Sequence, residues 1–343
     1  MDRPDVPLEV LCQVARDFSL PEIADVCELP GGHINRTFRV TEPASGKRFV
    51  LQQINRSVFE NADAVMQNIA RAFEVGVRGP NLIPTRGGLP ALDGEIGYWR
   101  AFDYLEQMET LGSVHGKPDL AHAAASAVAE FHQSLDTAQV IDFQETLPAF
   151  HHTPKRLAAL WKAAESAKEA FPERLAEVTE ELNQFRAAEA RLGELQALWD
   201  AGKLTTRVVH NDTKLANIMV DPDDLSRRCL IDLDTVMPGL VLHDFGDLVR
   251  SATPTAGEDD PEVGFDEKTY AALEDGFLST AGKALSDLEK SLLKQAGWTI
   301  TLETGSRFLA DYLQGDPYFH TKHPTQNLDR TKSQLTLAKF LAP

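Results

Sequence analysis

Cysteine is scarce in this chain: Cys12, Cys27 and Cys229 are the only three among 343 residues, and no two form a CxxC pair. An odd set without framework spacing builds no disulfide scaffold, so a reducing interior fits it better than an oxidising compartment. Long apolar runs are missing as well. No stretch approaches the roughly 20 apolar residues of a membrane span, and the first residues, MDRPDVPLEVLCQVARDF, lack the basic-then-apolar order of a secretion signal. Basic runs are also absent, with 34 Lys and Arg against 52 Asp and Glu and a net charge of -18. That balance opposes phosphate backbones and anionic lipid. These absences predict a cytoplasmic protein that takes a small molecule and binds neither nucleic acid nor membrane, as a monomer or weak dimer.

What is present is enough apolar residue, 43% of the chain, to fill two sizeable cores without staples. The first part favours strands. Thr37–Thr41 and Arg48–Gln53 flank a Pro43-Ala44-Ser45-Gly46 turn and read as a hairpin. A helix is expected from about Ala62 to Phe73, then one more strand over Tyr98–Leu105. Beyond Pro118 the period becomes helical, through Ala124, Val128, Phe131 and Leu135, through Leu157, Leu160, Trp161 and Ala164, and across Glu173–Trp199. Helical signal returns from about Glu267. The expected division is 1–106 and 107–343, a small strand-rich N-terminal lobe and a larger helical one, hence an α/β (α+β) fold.

One segment breaks the helical part and concentrates polar chemistry. Val208-Val209 delivers His210, Asp212, Lys214 and Asn217 on a short loop; Asn217 then opens a second apolar run, which a turn at Asp221–Asp224 folds back towards Cys229-Leu230-Ile231-Asp232-Leu233-Asp234. Strand ends of this kind bring carboxylates together. Two like charges about 4 Å apart cost about 4 kcal/mol at an effective dielectric near 20, a penalty that a bound cation removes. The oxygen donors Asn217 and Asp232, with Asp234 in reserve, suit Mg2+ better than zinc. So few protein ligands leave the rest of an octahedron to water and substrate phosphates, which implies a nucleotide.

His210-x-Asp212-x-Lys214-x-x-Asn217 resembles the catalytic loop of the protein-kinase-like fold, and Ile231-Asp232-Leu233-Asp234 resembles its metal-binding strand end. Gly31–Phe38, Phe49–Asn55, His210–Ile218, Ile231–Gly239, Asp244–Asp247 and Arg307–Phe319 are similar to N-acetylhexosamine 1-kinases, in the aminoglycoside-phosphotransferase-like branch. The resemblance implies a bilobal kinase-like fold and ATP- and Mg2+-dependent phosphorylation of the anomeric C1 hydroxyl of a small sugar. It implies Asp212 as base, Lys214 on the transferring phosphoryl group, and Asn217, Asp232 and Asp234 at the metal. It also implies His33, Arg307 and Tyr318 at the sugar, while Gly31, Gly32, Gln53 and Tyr104 are assigned to the nucleotide.

Two departures accompany the likeness. Where protein kinases carry an ATP-contacting Lys, this chain reads Val50-Leu51-Gln52-Gln53, so a Gln serves or the contact is absent. Ser251 stands after Arg250 where an aromatic is expected. Two decoys are set aside: Asp244-Phe245-Gly246 comes a loop too late for the metal and is expected to brace the catalytic loop together with Asp247. Gly276–Lys283 has the wrong spacing for a P-loop and is expected to be helical. His210 is expected to tie the loop to the core. A kinase of another small alcohol, such as an aminoglycoside, choline, homoserine or a neutral hexose, is the alternative enzyme, and a nucleotide-binding pseudokinase is the alternative of another class.

Overall fold

The computed structural model describes residues 6–29 and 34–342, so Gly31, Gly32 and His33 lie outside the described residues. The strand-rich part begins with α1 (Leu8–Asp17), β1 (Asp25–Glu28), β2 (Arg36–Thr41) and β3 (Arg48–Gln53). It continues through α2 (Ala62–Glu74), β4 (Leu82–Ile83), β5 (Leu92–Gly94) and β6 (Gly97–Asp103). The expected hairpin is there, with Thr41 opposite Arg48 and Gly46 at φ 74 in its turn, a conformation glycine adopts without steric cost. Sheet order is β1-β2-β3-β6-β4, with β5 on β6 and every pairing antiparallel.

Period-two alternation gives this sheet two faces. Phe38, Val40, Phe49, Leu51, Trp99 and Ala101 point one way and pack with Leu11, Val14, Ala15 and Phe18 of α1 as a separate core. Gln52 and Arg100, cross-strand partners on β3 and β6, point the other way. There Arg100 reaches Met66 of α2 through a 3.7 Å Nη1–Sδ contact. Helix α2 starts where Asn61 accepts from the Ala64 amide, which satisfies an otherwise orphan donor.

The helical part carries β7 (Glu109–Thr110), α3 (Pro118–Ser134), α4 (Thr153–Ala170), α5 (Pro172–Glu177), α6 (Thr179–Leu192) and α7 (Glu194–Asp200). The expected helical stripe over Glu173–Trp199 is thus three helices. Three short strands follow, β8 (Arg207–Val209), β9 (Ile218–Asp221) and β10 (Asp224–Leu230), then β11 (Met237–Gly239). Five helices complete the chain: α8 (Val241–Ala252), α9 (Glu267–Ala281), α10 (Asp287–Ser291), α11 (Leu293–Leu313) and α12 (Gln326–Leu341).

Two glycines permit the closest helix approaches. A Cβ at Gly246 would lie 2.6 Å from the Ala296 carbonyl oxygen of α11, and one at Gly276 would lie 2.4 Å from the His122 carbonyl oxygen of α3. Asp244-Phe245-Gly246 lies in α8, and the expected helix over Gly276–Lys283 is α9 as far as Ala281, with Gly282 and Lys283 in the turn that follows. Among the described residues no helix is long and apolar enough to cross a membrane.

Candidate active site

The loop between β8 and β9 is bent by Asn211, a non-glycine residue at φ 65, and is held from several directions. Asp244 of α8 accepts from the backbone amides of His210 (2.8 Å) and Asn211 (2.6 Å), while its own carbonyl accepts from the Thr213 hydroxyl at 2.5 Å. His132 stands 3.0 Å from the same carboxylate. Thr235 donates to the His210 carbonyl, and Asn211 returns a bond to the Thr235 carbonyl. Ser251 accepts from the Leu215 amide at 3.0 Å, so the departure at that position has a local role. Asp247 takes a different part from the one expected: its carboxylate is bound by Arg250 at 2.8 Å.

His210 is fully buried. Its Nε2 donates to the Ile231 carbonyl (3.0 Å) and its Nδ1 accepts from the Asp212 amide (3.2 Å), an arrangement that uses both nitrogens of a neutral ring. Burial lowers its pKa despite the charges of Asp244 and Asp212. The ring ties the loop to the β10 end.

At Asp212 the structure gathers two of the expected residues. Lys214 Nζ donates to Asp212 Oδ2 at 2.7 Å, and Asn217 Nδ2 donates to the same oxygen at 2.8 Å and to the Asp212 carbonyl at 2.8 Å. Burial would raise the Asp212 pKa, but the Lys214 charge and hydrogen bond, with His210 and Asn217, hold it below the ordinary carboxylate range. The group stays ionised. Lys214 is correspondingly raised, burial being outweighed by Asp212 and Asp232.

Because Asn217 spends its amide nitrogen on Asp212, its Oδ1 is left as an acceptor. Asp232 sits nearby at φ 62. Its side chain is exposed by surface area, yet the protein packed around it, followed by the charges of Asp234 and Asp212, pushes its pKa up to about 7. Among the described residues Asp232 makes no hydrogen bond, and a carboxylate crowded by carboxylates in this way is a ready cation ligand. Among the described residues no three His, Cys, Asp or Glu converge on one point, so Asn217 Oδ1 and Asp232 would need oxygens from a ligand or water to complete a shell.

Asp234 is placed differently from its expected role at the metal. It is 2% exposed, its Oδ2 accepts from Asn35 Nδ2 at 2.6 Å, and Arg100 Nη1 lies 2.5 Å from its Oδ1. Both partners come from the sheet region. Gln53 also lies elsewhere: it is turned to the α1 face, donating weakly to the Ile96 carbonyl at 3.4 Å. Gln52 occupies the other face, where its Oε1 accepts from Arg100 Nε (2.8 Å) and Nη2 (2.6 Å). The cation on that face is Arg100, which sequence reading missed. The one available signal was a lone Arg inside the apolar strand Tyr98-Trp99-Arg100-Ala101-Phe102.

Tyr104, just past β6, is covered by the Arg48 guanidinium 4.4 Å from its ring centroid, with Glu106 paired to Arg48. Arg307 and Tyr318 lie together in the helical part, beside Phe150 and Phe319: Arg307 is 5.5 and 5.7 Å from those two rings, and Tyr318 meets Phe319 at 4.8 Å. Tyr318 is 56% exposed. A separate hollow of about 620 Å3, lined by Phe73, Val77, Gly79 and Leu82 among others, contains none of these groups.

Known proteins share this fold. The profile of the phosphotransferase enzyme family covers residues 25–275. An aminoglycoside phosphotransferase from Alicyclobacillus acidocaldarius aligns over 99% of this chain and 96% of its own, at 16% identity and a TM-score of 0.61. A spectinomycin phosphotransferase, solved with ADP and spectinomycin, aligns over 99% of both chains at 13% identity and a TM-score of 0.66. A choline kinase from Cryptosporidium parvum aligns over 98% of this chain and 94% of its own, at 15% identity and a TM-score of 0.59. At such identities the solved structures show a shared fold, that of the kinase-like phosphotransferases. With a family profile matched over more than half its length, the chain belongs to the phosphotransferase enzyme family.

Proposed function

We propose that this phosphotransferase moves the γ-phosphoryl group of ATP to the anomeric C1 hydroxyl of an N-acetylhexosamine, giving the sugar 1-phosphate and ADP. The observation that carries the reading is the convergence of Lys214 and Asn217 on one oxygen of an ionised Asp212, near Asp232, which makes no hydrogen bond among the described residues. Spectinomycin phosphotransferase, a relative of the same fold, was solved with ADP, which supports a nucleotide in the cleft.

Asp212 accepts the proton of the attacking hydroxyl and orients its oxygen in line with the γ-phosphorus. An anomeric hydroxyl is more acidic than an ordinary alcohol, so a carboxylate suffices. Lys214, released from Asp212 as the acceptor enters, turns its charge to the transferring group. Asn217 Oδ1 and Asp232 would hold Mg2+, which supplies charge neutralisation on the phosphates when bound. Arg100 keeps Asp234 neutralised beside that turn. Arg307, Tyr318 and Phe319 form a wall of directional donors and rings suited to a sugar. His33 stays assigned to the sugar, and Gly31 and Gly32 to the phosphates, on the sequence likeness alone.

The test is ADP release with Mg2+-ATP across N-acetylglucosamine, N-acetylgalactosamine, glucose, galactose, choline, homoserine and an aminoglycoside. The reading requires an N-acetylhexosamine to give the highest kcat/KM, with a product whose phosphate is labile to mild acid, as anomeric esters are. Preference for choline or an aminoglycoside would replace it with the alternative alcohol.

A further inference from the structure

Two guanidiniums share one aromatic ring, that of Phe150, and among the described residues neither has a carboxylate partner. Arg156 of α4 spends Nε and Nη2 on the Phe150 carbonyl, at 2.9 and 2.6 Å, and its Nη1 makes no hydrogen bond among the described residues. Its guanidinium carbon lies 5.9 Å from the Phe150 ring centroid, and that of Arg307 on α11 lies 5.5 Å from the same ring. Neither forms an ion pair among the described residues, in a chain with 52 acidic residues to 34 basic ones. The nearby Glu303 is committed, Oε1 to His151 Nδ1 at 2.7 Å and Oε2 to the Thr153 hydroxyl at 2.5 Å.

The pair is coupled to the catalytic loop. His151, next in sequence to Phe150, donates from Nε2 to the Asn211 carbonyl at 2.9 Å, and Asn211 precedes Asp212. Arg307 lies one helical turn beyond Glu303 on α11. Tyr318 and Glu303 both act on the Arg156 charge, while burial and then Arg307 lower its pKa. Placing two like charges together, half-buried, is unfavourable unless something negative or strongly polarised sits between them.

We propose that Arg156 and Arg307 form an acceptor subsite that takes a carboxylate or amide-carbonyl oxygen of the acceptor and excludes acceptors bearing an ammonium group at that place. The proposal rests on the reading of the neighbouring loop as the phosphotransfer centre, and extends it by making Arg156 a specificity residue. Guanidinium pairs hold planar oxygen groups by forked donation, whereas an ammonium group would meet a like charge at close range.

The test separates binding from turnover. Calorimetric titrations of the wild type, Arg156→Gln and Arg156→Lys with glucuronate, N-acetylglucosamine and glucosamine read binding, and ADP release with the same three reads turnover. The wild type is expected to bind glucuronate or N-acetylglucosamine at least tenfold more tightly than glucosamine. Arg156→Gln should lose most of that ratio, while Arg156→Lys, which keeps the charge but not the planar fork, should retain part of it, which also guards against a Gln variant that fails to fold. Equal binding of all three by the wild type, or an unchanged ratio in a folded Arg156→Gln protein, overturns the pair. Glucuronate binding without turnover of N-acetylglucosamine would leave the subsite standing and remove the hexosamine reading. Turnover of N-acetylglucosamine with no charge preference would do the reverse.

Discussion

Arg100 and Asp234 form a buried ion pair, Nη1 to Oδ1 at 2.5 Å, that joins β6 of the sheet to the turn following Asp232. The partners are 2% and 3% exposed at their side chains. Removing one partner of such a pair strands the other charge, a loss of about 3–5 kcal/mol. Arg100→Met should therefore lower the urea-unfolding free energy by about that amount, and adding Asp234→Asn should restore part of it. An additive double mutant would mean the two groups do not interact.

Turnover should collapse when the base is removed. Asp212→Asn keeps the shape of the side chain and cannot take a proton, so kcat is expected to drop at least ~10²-fold. Nucleotide affinity, read by fluorescence titration of an ADP analogue, should stay within about threefold, since Asp212 is assigned to the acceptor.

Cation binding should depend on pH through Asp232. Its pKa stands at about 7 with no cation beside it, so protons and a divalent ion compete for the same oxygens below that pH. The apparent Mg2+ affinity should fall about tenfold per unit as pH drops below 7 and level off above it. Asp232→Asn should weaken binding at every pH and flatten the profile. A steep profile surviving in that variant would assign the effect to another group.

Acid should destabilise the fold through His243. Burial, then the charge of His151, holds its pKa down at about 3, against about 6.5 in the unfolded chain. Between those values the unfolded state binds the extra proton, so stability rises with pH from 3 to 6.5 and is lost in the other direction. His151 works oppositely. Its pKa is raised, the charge and hydrogen bond of Glu303 outweighing burial, and its contribution is complete below 6.5 and lost as pH climbs through the raised value. Thermal melts of His243→Phe should show a shallower fall in Tm over pH 6 to 4 than the wild type.

Much of this site was legible in one sequence because its residues are local. The β8 loop, the β9–β10 hairpin and the Asp232 turn all lie within about 30 residues, where apolar runs and turn residues report directly on geometry. The roles that escaped depend on distant partners. Gln52 and Gln53 are adjacent, and only the strand pairing of Gln52 with Arg100 decides which faces α2. Asp234 looks like a spare metal ligand until Arg100 and Asn35 are brought to it. His151, one of ten histidines and without metal-ligand spacing in the sequence, shows its part only when Glu303 and Asn211 are brought to it, where it is buried.

The braces on the catalytic loop come from α8, from the turn before β11 and from the start of α4, all in the helical part. Asp234, in contrast, is gripped from the sheet side, by Arg100 and Asn35. The turn that carries it is itself bonded to the Asp212 loop, Thr235 to His210 and Asn211, and Ile231 to His210. A rocking of the sheet would therefore be felt at Asp232 and at Asp212 together, and under the proposed function that linkage would let nucleotide loading and acceptor activation move as one.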